Sequence, residues 1–383
     1  MQFSELPLSE QVQQGLRDVG FETCSPIQEQ SIPFGLAGHD VLGKAQTGTG
    51  KTAAFLIALF ETLLKEPPTE QRYSGETRAL ILSPTRELAL QIEADAISLG
   101  KHTGLRFLSL VGGMNFEKQR EVIQNEYVDV IIATPGRLID FCERREVYLD
   151  QIEVLVIDEA DRMLDMGFIP QVKRIERLCA RREYRQSMMF SATFSEDVLR
   201  LADRWMENAE SIEIEPDSIA TDTVEQKLYM VSGEEKFNIL VNILTEETTK
   251  SVMVFANRRD ECRDLHEALR RKGIKAGLLS GDIPQGKRVK TLDAFKSGSI
   301  QVLVATDVAG RGIHIDGVSH VVNYMLPEEP EDYVHRIGRT GRAGAEGKSI
   351  SFACEDDAFR WPAIEALLGQ NLECEHPPED LLK

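Results

Sequence analysis

The chain has 383 residues, 42% hydrophobic and 28% charged, which is enough apolar material for two ordinary domains and too much for a largely disordered chain. Its formal net charge is −19, which excludes a uniformly basic nucleic-acid-coating surface and confines any polyanion contact to a local patch. Six cysteines without a C-x-x-C pair or zinc spacing exclude a disulfide framework and a zinc module. The polar start MQFSE and the short apolar runs lead to the expectation of a cytoplasmic protein.

In chain order, the first half shows continuous apolar runs at 40–43, 79–83, 107–111, 128–133, 154–158 and 187–190, with helix-period segments such as 86–99 and 168–178 between them. Unbroken apolar runs are what strands buried on both faces look like, and their alternation with helices predicts a parallel sheet. The pattern lapses into polar, turn-like residues over 214–224, which predicts a linker between domains at 1–213 and 225–383. The second half repeats the plan, with strands expected at 252–255, 276–279, 302–305, 321–324 and 349–352 and helices at 261–271 and 289–295. The fold class expected is α/β: two tandem domains, each a mainly parallel sheet with helices on both faces. The acidic, proline-containing end at 372–383 is expected to fray.

The segment AQTGTGKT at 45–52 follows a predicted strand and opens a helix pattern. In that context Gly48 and Gly50 let backbone N–H groups turn inward around phosphate oxygens, and the helix N-terminus adds its positive end. Lys51 can reach the β- and γ-phosphates of ATP, Thr52 can ligate Mg2+, and Gln46, Thr47 and Thr49 complete the loop. Ala45 stands where the simple pattern has glycine, a change that still permits the turn. The apolar run at 154–157 ends in Asp158, Glu159, Ala160 and Asp161. A carboxylate ending a strand beside a phosphate loop suits Mg2+, partly through water, so Asp158 is the metal candidate and Glu159 the candidate base for the attacking water.

These four residues spell DEAD, and the surrounding motifs resemble DEAD-box RNA helicases in family order over roughly residues 3–370. The resemblance implies two RecA-like domains and carries roles onto particular positions. Phe21 and Gln28 resemble the family's adenine reader, with Phe21 stacking on the base, Gln28 bonding its edge and Phe3 in support. Pro84, Thr85 and Arg86, then Gly112 and Gly113, then Thr134, Pro135, Gly136 and Arg137 resemble the RNA-contacting loops of the first domain. Ser191 and Thr193, with Asp161, resemble the group that couples nucleotide state to RNA state. In the second domain Asn257, Gln285, Arg288, Thr306 and Arg311 are implied RNA contacts, and Asp307 an acceptor for the ATP ribose hydroxyl. The octet HRIGRTGR at 335–342 supplies His335 as an organiser of the water, and Arg339 and Arg342 as arginine fingers for the γ-phosphate.

Gly310 and His314 depart from the alanine and aspartate usual in the family, which puts in doubt any pairing carried over to His314. That histidine and the stretches 285–288, 352–355 and 362–365 resemble the bacterial RhlB branch, which is associated with the RNA degradosome. The resemblance implies an RNA-stimulated ATPase that binds single-stranded RNA and short duplexes with little sequence preference, separates short duplexes locally in RNA decay or remodelling, and has a degradosome endonuclease as partner. Other readings stay open at this point: a DNA translocase, an ATP-gated RNA clamp or scaffold with little strand separation, and a P-loop ATPase unconnected with nucleic acid.

Overall fold

A computed structural model describes residues 1–46, 48–68, 71–214, 224–246, 249–310, 315, 318–341, 347–369 and 372–382, the side chains of Gln285, Val308 and Ala309 excepted. The expected linker falls mostly on 215–223, outside the described residues. The chain divides into two compact units, Met1–Glu215 and Pro216–Lys383.

The first unit carries strands β1 (Val41–Lys44), β2 (Ala79–Leu82), β3 (Phe107–Leu110), β4 (Val130–Ala133), β5 (Val154–Ile157), β6 (Gln186–Ser191) and β7 (Glu210–Glu213), in the order β3-β4-β2-β5-β6-β1-β7. Every pairing among them is parallel. The apolar runs are continuous because alternate residues bury on opposite faces. Ile81, Ile132 and Val156 enter one core cluster, while Leu80, Ile131 and Leu155 enter the other.

The second unit repeats the design with β8 (Val224–Met230), β9 (Val252–Phe255), β10 (Ala276–Leu279), β11 (Val302–Ala305), β12 (His320–Asn323), β13 (Gly347–Ala353) and β14 (Cys374–Glu375). Their order is β10-β11-β9-β12-β13-β8-β14, again parallel throughout. Val254 and Val304 face one core cluster, Met253 and Leu303 the other. No described helix is long and apolar enough to cross a membrane.

Three strands escaped the sequence reading. β7 reads ESIE and buries only Ile212, so it lacks the apolar run of a central strand. β8 reads VEQKLYM, with three polar residues between its buried Val224 and Leu228, and β14 has only two residues. The end of the chain also corrects the expectation of fraying: β14 pairs with β8, Leu381 joins the core, and Asn242 Nδ2 donates to Leu381 O at 2.9 Å. One buried leucine and one strand pair outweigh an acidic composition.

The helix Lys51–Lys65 is apolar on nearly every side, with Glu61 buried inside the run. Glu61 Oε1 accepts from Ser9 N at 2.7 Å and Ser9 Oγ at 2.8 Å, which fixes the start of the helix Glu10–Val19. That helix approaches the helix Arg86–Leu99 through Gly15, where a Cβ would lie 1.9 Å from Leu99 O. Alanine is the better helix former by about 1 kcal/mol, but overpacking against backbone costs about 1–3 kcal/mol. Gly15→Ala is therefore expected to destabilise the first unit. An unchanged or raised urea midpoint for this variant contradicts that account of the contact.

Candidate functional site

The carboxyl ends of the first sheet collect nearly all of the first unit's candidate residues, because parallel strands deliver their following loops to one edge. At this edge β5, β6 and β1 are neighbours, as are β3, β4 and β2, and β2 pairs with β5 where the two groups meet.

The loop after β1 leads into the helix Lys51–Lys65, whose N-cap Gly50 has φ +93. A Cβ on Gly50 would lie 2.4 Å from Gln28 Nε2, so glycine is required there both by conformation and by space. Gly48 also has positive φ, and Thr49 Oγ1 donates to Gln46 O at 2.8 Å. Lys51 is only 6% exposed, and its Nζ has no hydrogen-bond partner among the described residues. A buried ammonium without a partner at a helix N-terminus is strongly unfavourable unless an anion answers it, so the loop fits a polyphosphate. Thr47 lies outside the described residues.

The segment ahead of the helix Pro26–Leu36 holds this loop from outside. Ser25 Oγ donates to Thr49 O at 2.6 Å and Gln28 Nε2 to Gly50 O at 3.0 Å, while Gln28 Oε1 accepts from Ser25 N at 2.8 Å. One N–H and one carbonyl lone pair of Gln28 remain beyond these bonds. Phe21 is 41% exposed and stacks at 6.1 Å on Phe3, which is buried, so an aromatic face is presented from a fixed support.

Asp158 and Glu159 end β5 and are both buried. Burial pushes the Asp158 carboxyl up to about 6, with the Lys51 ammonium pulling the other way and Glu159 adding to the rise. Asp158 and Thr52 thus offer oxygen donors beside an unanswered ammonium, a donor set suited to Mg2+ with phosphate. Glu159 adopts φ 52, ψ 54, a left-handed conformation that a non-glycine residue holds only when its surroundings impose it. Its Oε2 lies 3.0 Å from Arg162 Nη1.

Asp161 ties β5 to β6. Its Oδ2 accepts from Ala192 N and Thr193 N, each at 3.0 Å, and from Thr193 Oγ1 at 3.2 Å, while its own N–H donates to Ser191 Oγ at 3.2 Å.

Across the β2–β5 boundary, Thr85 caps the helix that Arg86 begins, and a Cβ on Gly112 would stand 3.3 Å from Arg86 Nη2. Pro84 and Pro135 are buried, Thr134 is half-buried, and Gly113 and Gly136 are exposed. Arg137 donates to Gln119 Oε1 at 2.6 Å and lies 5.6 Å from the Phe116 ring. Its pKa is lowered by burial and by the like charge of Arg86, against the opposing pull of Asp140. Two arginines that follow neighbouring strands β2 and β4, with the glycine backbone of 112–113 and 136 beside them, suit a phosphate backbone.

In the second unit, Thr306 and Asp307 follow β11, Asn257 follows β9, and Arg288 stands on the helix Gln285–Lys296. Arg339 is 4% exposed, and His335 Nδ1 lies 3.8 Å from Asp332 Oδ1. Arg311, His314, Arg342 and the Gln285 side chain lie outside the described residues.

The residue that organises this edge is one the sequence reading passed over. Arg336 is 1% exposed. Its Nε and Nη2 donate to the two Asp307 oxygens at 2.6 Å each, Nη2 to Asn257 Oδ1 at 2.9 Å, and Nη1 to Met325 O at 2.7 Å and Asn323 Oδ1 at 3.2 Å. Asn257 Nδ2 donates to Leu326 O, so the Asn257 side chain is committed within the unit. A signal was present: Tyr333, Arg336 and Ile337 share the i, i+3, i+4 spacing of a buried helix stripe. Removing one partner of such a buried pair costs about 3–5 kcal/mol. Arg336→Ala is expected to lose that much in the second unit's urea transition. Lysine is expected to restore little, having no two-pronged fork. A lysine variant of full stability would rule out the bidentate account.

Comparison with known proteins adds the family. Residues 25–201 match the DEAD/DEAH box helicase family and residues 235–344 the helicase conserved C-terminal domain. The chain is 56% identical over 381 residues to the ATP-dependent RNA helicase RhlB of Pseudomonas putida, covering 100% of this chain and 96% of that one. It is 48% identical over 380 residues to that of Erwinia tasmaniensis, covering 99% and 88%. Among solved structures, Saccharomyces cerevisiae Dbp5 bound to RNA and ADP BeF3 superposes with a TM-score of 0.85 at 31% identity, covering 100% of each chain. A DEAD box protein from Methanococcus jannaschii gives 0.54 at 34% identity, each chain covered to 99%. Phosphate loop, acidic box and paired parallel sheets occur here in the company of these relatives, and the chain belongs to the DEAD/DEAH box helicase family.

Proposed function

We propose that this chain is an ATP-dependent RNA helicase that grips RNA across both units and separates short duplexes locally, within RNA decay or remodelling. The observation that carries the reading is the buried ammonium of Lys51, without a hydrogen-bond partner among the described residues, on the same sheet edge as Arg86 and Arg137. One half of that edge suits a polyphosphate and the other a nucleic-acid backbone, and Asp161 spans β5 and β6 between them.

In this reading Phe21 stacks on the adenine, Gln28 bonds its edge, and Gln46, Thr47, Gly48, Thr49, Gly50 and Lys51 enclose the phosphates. Thr52 and Asp158 hold Mg2+, partly through water, and the ion supplies neutralisation of phosphate charge. Glu159 takes the proton of the attacking water. RNA lies along the loops at 84–86, 112–113 and 134–137 and along Asn257, Gln285, Arg288, Thr306 and Arg311 of the second unit. Contacts to phosphate and sugar account for little sequence preference, and contacts to 2′-hydroxyls for a preference over DNA. Closure of the units then lets Arg339 and Arg342 meet the γ-phosphate while Asp307 accepts from the ribose and His335 orders the water. RNA stimulates turnover because it favours the closed state. Cytoplasmic location and association with a degradosome endonuclease belong to the same reading, supported by likeness to the RhlB relatives.

Two measurements test the assignment. Glu159→Gln is expected to bind ATP while losing roughly 10²–10⁴ in turnover, the usual worth of a general base. Arg339→Ala is expected to keep nucleotide affinity and lose RNA-stimulated ATPase by ~10³–10⁵. RNA-stimulated turnover near the unsubstituted level in either variant removes that residue's role. Long-lived RNA retention with negligible strand separation by the unsubstituted chain favours an RNA clamp instead.

A further inference from the structure

The opposite edge of the first sheet, where β2, β4 and β5 begin, holds a cavity of about 450 Å3 whose lining includes Glu66, Arg72, Glu76 and Arg78. Both arginines are nearly buried, yet neither has all its N–H groups bonded. Arg78 places Nε and Nη2 on the Glu153 carboxylate at 2.6 and 2.9 Å and Nη2 also on Glu66 O at 2.7 Å, which leaves Nη1 without a partner among the described residues. Arg72 places Nη1 on Asp129 Oδ1 at 2.6 Å and Nη2 on Glu76 O and Val128 O, while its Nε has no partner among the described residues.

The charges of this lining do not balance. Each arginine is neutralised by its own carboxylate, Glu153 or Asp129. Glu66 and Glu76 have no ion pair among the described residues, and Glu76 Oε2 accepts only the Tyr73 N–H, at 3.0 Å. Beside the cavity stand Tyr73, Tyr127 and Tyr148, exposed to 68%, 56% and 43%. The loop through Arg72 and Glu76 joins them. The Arg72 guanidinium lies 5.6 Å from the Tyr127 ring, and a Cβ on Gly75, which has φ +84, would stand 3.5 Å from Tyr148.

Unbonded N–H groups call for carbonyl acceptors, unbalanced carboxylates call for cations, and exposed tyrosine faces receive lysine and arginine side chains. A peptide bearing basic side chains meets all three demands at once. RNA meets the first but brings phosphate against Glu66 and Glu76. We infer that this face is a docking site for an arginine- or lysine-bearing segment of a partner protein. Arg78 Nη1 takes a backbone carbonyl, Glu66 and Glu76 take the cations, and the tyrosines flank them. Because the loops assigned to ATP and RNA leave the opposite edge of the same sheet, docking here leaves turnover unobstructed.

The test uses the full chain and fluorescence anisotropy with a short labelled peptide of alternating arginine and glycine. An equally long single-stranded RNA and a glutamate–glycine peptide serve as comparisons. Tyr73→Ser combined with Tyr148→Ser, and separately Glu66→Gln combined with Glu76→Gln, are each expected to weaken the basic peptide about tenfold or more. RNA-stimulated ATPase is expected to stay unchanged in both, which also shows that the variants fold. The inference is overturned if the basic peptide fails to saturate. It is equally overturned if both variants bind it as tightly as the unsubstituted chain, since the attraction is then only that of an acidic protein. A loss of RNA rather than of peptide affinity in the tyrosine variant assigns the surface to nucleic acid and also sinks the proposal.

Discussion

A lysine ammonium shut away from water, without a hydrogen-bond partner among the described residues, is the constraint around which the first unit is organised. Lys51 sits at the first turn of an otherwise apolar helix, and the Asp158 carboxyl beside it is itself raised by burial. The two groups attract each other, yet no hydrogen bond joins them among the described residues. A protein tolerates such an arrangement where a ligand completes it. The strain at Glu159 belongs to the same design: packing around the end of β5 imposes a backbone conformation that the residue would not choose.

The sheet turns this local arrangement into a possible conversation between two ligands. β5 and β6 carry the acidic box and the Ser191–Thr193 turn, and Asp161 gathers three donors from that turn with one carboxylate oxygen. The ends of β5 and β6 are thereby joined through short, directional bonds rather than through soft packing. β2, which carries Arg86, pairs directly with β5. In the second unit Arg336 plays the stiffening part, binding residues that follow β9, β11 and β12 into one edge. The Phe255 ring lies 5.2 Å from its guanidinium, and a Cβ on Gly310 would stand 2.8 Å from that ring. The glycine that departs from the family's usual alanine is thus matched to the aromatic neighbour of the organising arginine.

The architecture was legible because each central strand is a short apolar run, and core clusters on the two faces of each sheet draw alternate residues from those runs. The phosphate loop and the acidic box were legible because their chemistry needs particular residue types at fixed spacing. Strands β7 and β14 were not, since edge strands owe their existence to a neighbour's open backbone groups rather than to their own hydrophobicity, and β8, between β13 and β14, was not because its polar residues break up any apolar run. Gly15 carried no sequence signal at all, because its reason is the carbonyl of Leu99, far away along the chain.

By itself, then, the sequence determined the two parallel α/β units, the phosphate-loop motif and the family. Those follow from local periodicity and from motifs whose members lie within a few residues of one another. Only the tertiary structure decided that Lys51 is buried without a hydrogen-bond partner among the described residues, that Gln28 is already bonded to Gly50, that Arg336 is a core residue rather than one more surface cation, and that Leu381 is packed into the core. Each of these depends on which distant backbone or carboxylate arrives beside a side chain, and the sheet order that brings them together is not written in any one segment.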